Sequence, residues 1–134
     1  MSFDSELSQL EAVVSECEKD IQDGTFDADA IVSQICSIAD PKAKIAKGGE
    51  WIAQLMEKLN KLNILRLNEL MHQHPHTPRI KELGHRVVNC YLALHDINAS
   101  ISENLVSPDM KVGVQAENQK MRDKIERLFG GLFS

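Results

Sequence analysis

Residues 50–71, EWIAQLMEKLNKLNILRLNELM, form the stretch that most restricts what this chain can become. Apolar side chains fall at Trp51, Ile52, Leu55, Met56, Leu59, Leu62, Leu65, Leu67, Leu70 and Met71. This is the i, i+3, i+4, i+7 spacing of an amphipathic helix, with Lys, Glu and Asn on the opposite side. No Pro or Gly interrupts it, so the pattern predicts one continuous helix from Glu50 to about Met71. The stripe is wider than the seam of a two-stranded coil. Such a helix has to be covered from more than one side, which calls for a helical bundle.

Other stretches supply the covering elements. Phe3, Leu7, Leu10, Val14, Cys17 and Ile21 keep a strict 4-3-4-3-4 spacing, a heptad seam on a helix from about Asp4 to Gln22 that stops at Asp23-Gly24. Asp27 reads as an N-cap, with Phe26 and Ile31 placed to staple the first turn of a short, nearly all-apolar helix that should be buried. Asp40-Pro41 opens a further helix, and Gly48-Gly49 should kink or break it before the long run begins. The segment from His72 to Pro78, with two prolines, ends that run and turns the chain back. Ile80, Leu83, Val87, Tyr91, Leu94 and Ile101 then mark an antiparallel return helix reaching about Asn104.

Ser107-Pro108 signals a last helix, weakened by Val112-Gly113-Val114 and so expected mainly from Gln115 to Phe129. Its docking face should be Met121, Ile125 and Leu128, and Gly130-Gly131 should end it. The expected fold class is all-α: an antiparallel bundle of four to five helices around a long central helical hairpin. The 134 residues suit a single domain. Within it, 1–40 is an acidic N-terminal helix pair, 41–106 the central hairpin, and 107–134 the C-terminal helix with an apolar tip.

Charge is divided unevenly along the chain. Residues 1–40 hold ten acids against the single base Lys19, whereas residues 41–90 hold nine bases against four acids, within a total of −5. The acidic arm can be neutralised by the basic middle or by an external basic partner. Cys17, Cys36 and Cys90 are odd in number and lie on or beside apolar stripes. They read as small buried hydrophobes in a reducing, cytoplasmic setting. No basic leader or bilayer-length apolar run is present, so no membrane span is expected.

Candidate chemistry is confined to a few histidines. His72, His74 and His76 suggest a metal, but Pro75 pulls His74 out of helical geometry and no acidic or cysteine ligand stands near, so no metal or cofactor is expected. His85 on a bundle helix invites comparison with histidine phosphotransfer domains, but the lysine and glycine-containing turn those domains place after the histidine are missing. No nucleophile elbow, phosphate loop or paired catalytic carboxylates can be found, and an enzyme is not expected. Scarce aromatics, together with an acidic arm facing the bases, argue against direct nucleic-acid binding.

The sequence therefore leads to a protein–protein interaction module such as an adaptor, chaperone-like or inhibitory protein, with a homodimer as one form of partnership. The residues that would bind a partner are Leu128, Phe129, Leu132 and Phe133 of the C-terminal tip, and Leu7, Leu10 and Val14 of the first seam. The alternatives are an acidic polyanion mimic that blocks a nucleic-acid-handling protein, and a histidine phosphotransfer-type domain.

Overall fold

A computed structural model of the chain describes residues 2–130. Its six helices are α1 (Phe3–Gln22), α2 (Ala28–Cys36), α3 (Pro41–Leu62), α4 (Ile64–Gln73), α5 (Pro78–Leu105) and α6 (Pro108–Leu128), and no strand occurs among the described residues. The start signals read from the sequence operate as expected at two of them. Asp27 accepts a hydrogen bond from the Ala30 amide at 3.1 Å, and Asp40 accepts one from the Ala43 amide at 3.2 Å. Thr77 and Ser107 occupy N-cap positions without a side-chain cap bond, and in both cases a proline at the first helical turn fixes the entry.

The fold is an all-α bundle with α5 at its centre and the other five helices packed around it. The strand-like order of the rods follows from who touches whom. Arg79 and Arg86 of α5 pair with Glu11 and Glu18 of α1, a constant offset of 68 residues, so α1 runs parallel to α5. Cys36 Sγ and Asn104 Oδ1, 3.9 Å apart, keep the same offset, and α2 thus continues the course of α1 along α5. Between them Gly24 (φ +82°) and Asp23 make the turn, with Asp23 accepting from the Thr25 amide and hydroxyl at 3.0 and 2.6 Å.

α3 runs antiparallel to α5, with Asn98 against Met56 and Leu105 against Gly48. α6 runs antiparallel as well, since Arg122 meets Asp96 and Asn118 meets Glu103. One contiguous core results, centred on Leu7, Val14, Ile35, Leu55, Leu62, Leu67, Val87, Leu94 and Ile101.

Two expectations about the long run are overturned. The helix passes through Gly48-Gly49 without a break, and it ends at Asn63 instead. Gly48 is buried because the Leu105 side chain lies directly over it; a Cβ there would sit 2.5 Å from Leu105 Cδ2. Packing against α5 thus holds the helix through its weakest propensity. Gly49 faces open space, so Gly49→Ala is expected to stabilise the fold by about 0.5–1 kcal/mol. Gly48→Ala should not, since Leu105 has to move; urea midpoints of the two variants make the comparison.

Asn63 adopts the left-handed conformation (φ 46°), which a short polar side chain tolerates better than most. It closes α3 and opens α4 at once, its Oδ1 accepting from the Arg66 amide at 3.4 Å. The break re-aims the apolar stripe. Leu62, Leu67 and Leu70 point inward, while Leu65 is 70% exposed.

Half of the acids of the N-terminal arm are paired within the chain by a ladder of contacts. Arg66 clasps Glu6 with two bonds of 2.8 Å, Lys58 bridges Glu16 and Asp20 at 3.0 and 3.1 Å, Arg79 holds Glu11 at 3.0 Å, and Arg86 holds Glu18 at 2.5 Å. On α1 the unit Ser-x-x-Glu recurs at Ser8 and Ser15, and each unit gives its hydroxyl and carboxylate to one arginine of α5, seven residues apart. Hydrogen bonds from Arg66, Arg79 and Lys58 hold the carboxyls of Glu6, Glu11 and Glu16 below their ordinary range.

Groups with lowered folded-state values stabilise above the unfolded value and lose that contribution as pH falls through the folded one. The melting temperature should therefore fall as pH drops below about 4.3. It should also fall between 0.1 and 1 M salt, as the Debye length shrinks from about 10 to 3 Å. A melting temperature indifferent to salt would mean that the ladder contributes nothing.

Candidate functional site: the cleft between α4 and α6

α4 and α6 both lie on α5, and the space between them is an open cleft with two lobes that adjoin at Leu128, which lines both. The larger lobe, about 500 Å³, is lined by Met71, Ile80 and Phe129 with His72, His74, His85 and Lys81 at its edges. The smaller, about 260 Å³, is lined by Leu59, Ile64, Leu65, Tyr91, Met121 and Lys124. Each wall is a helix face. α4 contributes positions 64, 65, 68, 71 and 72, and α6 contributes 121, 124, 125 and 128, the spacing that brings side chains onto one side of a helix.

The walls keep apolar surface in water: Leu65, Met121 and Leu128 are 70%, 46% and 42% exposed. In the floor, burial pushes the Tyr91 hydroxyl above its ordinary value. Among the described residues the lining contains no Asp, Glu, Ser, Thr or Cys.

The three histidines of the α4–α5 turn serve different ends. His72 Nδ1 is 2.8 Å from the Asn68 carbonyl, which accepts from it. The His74 ring stacks on Phe3, with centroids 3.8 Å apart, and this ties the start of α1 to the turn. His76 is exposed. No group of three or more His, Cys, Asp or Glu placed to hold a metal occurs among the described residues. His85 is half-buried at the edge of the larger lobe.

Several residues expected to face a partner lie elsewhere. Leu7 and Val14 are fully buried and Leu10 is packed against the core, because the α1 seam is satisfied by α3 and α5 of the same chain. Phe129 is 1% exposed and closes the base of α6, so it belongs to the interior. Leu128 remains exposed in the cleft, while Leu132 and Phe133 lie outside the described residues.

The docking face of α6 is Ile125 and Phe129, with Arg122 on Asp96, and not Met121 and Leu128; the helix also starts at Pro108, ahead of Gln115. Cys17 and Cys90 are buried as expected, and burial raises both thiols, Cys90 to about 12, which disfavours the thiolate. Cys36 is exposed, since α2 buries only the face of Ile31 and Ile35.

Two features went unseen in the sequence. The cleft walls carry the same spacing as core stripes, although a stripe with more apolar residues than one packing face can cover is itself a signal of spare surface. His95, one turn beyond Tyr91, is buried with its Nδ1 lacking a hydrogen-bond partner among the described residues and 3.6 Å from Asp96 Oδ1. No helix of the described residues is long and apolar enough to cross a membrane. The chain matches no protein-family model, no curated protein and no solved structure.

Proposed function

We propose that this protein is a non-enzymatic interaction module that binds a protein partner through the cleft between α4 and α6. The observation that carries the reading is the set of exposed apolar side chains, Leu65, Met121 and Leu128, gathered on the two facing walls of one cleft. Scattered exposed leucines need no explanation, but apolar residues converging on a groove usually mark an interface.

A polyanion mimic is less well supported. Glu6, Glu11, Glu16, Glu18 and Asp20 are engaged by bases of the same chain, and Asp23, Asp27 and Asp40 hold turns and caps.

Affinity capture from the native host tests the reading. A partner retained by the wild-type chain should be lost at least ten-fold with the double variant Leu65→Gln and Leu128→Gln. The melting temperature should stay within a degree or two, because both side chains are surface-exposed. Equal retention of every partner by the variant contradicts it.

A further inference from the structure

Resting on that reading, we infer that the occupant of the cleft is an acidic amphipathic helix of a partner protein. The shape argument comes first. Two helix walls and a helix floor leave a slot whose sides present Ile64, Leu65 and Met71 from α4 and Met121, Ile125 and Leu128 from α6, so a third helix fits between them by the same packing that joins the bundle. The α6 wall spans positions 121 to 128, about 10 Å, which matches two turns of a docked helix.

Charge then decides the kind of helix. The chain carries 20 acids and a net charge of −5, yet the described lining of both lobes holds no carboxylate. It does hold Lys81 on α5 and Lys124 on α6, and neither forms an ion pair among the described residues. Arg66, Arg79, Arg86 and Arg122, by contrast, are all engaged by carboxylates. Histidines 72, 74 and 85 add imidazoles to the rim of the larger lobe. An apolar slot rimmed by uncommitted lysines on an otherwise acidic protein selects a helix with leucine-type anchors and flanking carboxylates, and it repels a basic one.

The test uses two synthetic 16-residue peptides whose leucines follow the i, i+3, i+4, i+7 pattern. One has glutamate at every flanking position and the other has lysine there. Fluorescence anisotropy against the full chain at low salt should show the acidic peptide binding at least ten-fold more tightly than the basic one. Leu65→Gln should weaken it at least ten-fold, and the double variant Lys81→Glu and Lys124→Glu should reverse the preference between the peptides.

Equal binding of the two, or a preference for the basic peptide that still depends on Leu65, overturns the acidic assignment while leaving the docking cleft. Binding indifferent to Leu65, or no binding of either peptide at millimolar concentration, overturns the docking itself. Two further results assign the cleft to another occupant. One is acidic-peptide binding that appears only after residues 131–134 are deleted, which gives it to the chain's own tail. The other is a dimer dispersed by Leu65→Gln, which gives it to a second copy.

Discussion

Truncating Phe129 to alanine is expected to cost about 3–5 kcal/mol, among the largest single losses available in this chain. Phe129 is the bulkiest of the fully buried side chains, and it seals the end of α6 where that helix has only Ile125 as a second buried anchor. Removing the ring opens a cavity next to the larger lobe of the cleft and loosens the helix that forms one wall. Chemical denaturation followed by circular dichroism measures the loss. A cost under about 1 kcal/mol would mean that α6 is held by its polar contacts, Arg122 to Asp96 and Asn118 to Glu103, and not by its apolar end.

The second large effect comes from a contrast within one apolar run. Leu62→Ala should cost about 2–5 kcal/mol, whereas Leu65→Ala, three residues on, should cost under about 0.5 kcal/mol. Leu62 is fully buried and Leu65 is 70% exposed. In an unbroken helix the two would share a face, so the difference arises from the left-handed Asn63 between them. Similar losses at both positions would show that the helix runs straight through Asn63 and that Leu65 belongs to the core.

That contrast also marks the limit of what the amino-acid order conveys. Periodicity placed the helical stretches but ran α3 and α4 together, and helix starts were legible at Asp27, Asp40-Pro41 and Thr77-Pro78, where a cap or a proline acts locally. The charge imbalance of the first 40 residues left two ways to balance it, the basic middle or an external partner, and the pairs of α1 with Lys58, Arg66, Arg79 and Arg86 take the first. What periodicity could not decide was set by tertiary contact. Gly48 stays helical because Leu105 needs its missing side chain, a reason that lies 57 residues away.

The cleft was the least legible feature. Leu65, Met121 and Leu128 carry the same sequence signature as residues that are buried, and only the break at Asn63 and the lean of α6 on Ile125 and Phe129 leave them in water. Leu7, Val14 and Phe129, expected on a partner surface, are buried in this chain's own core for the converse reason. A seam that demands a partner cannot reveal whether that partner is a second protein or the next helix of its own chain.

The central claim is that the cleft between α4 and α6 is where another protein docks, and site-specific photocrosslinking in the native host tests it most directly. A photoreactive residue at position 65 or 121, on opposite walls, is compared with one at Asp29, exposed on α2 and outside the cleft lining. The account predicts the same protein adduct from positions 65 and 121 and none from position 29. An identical set of adducts from all three positions, or none from 65 and 121, would contradict it.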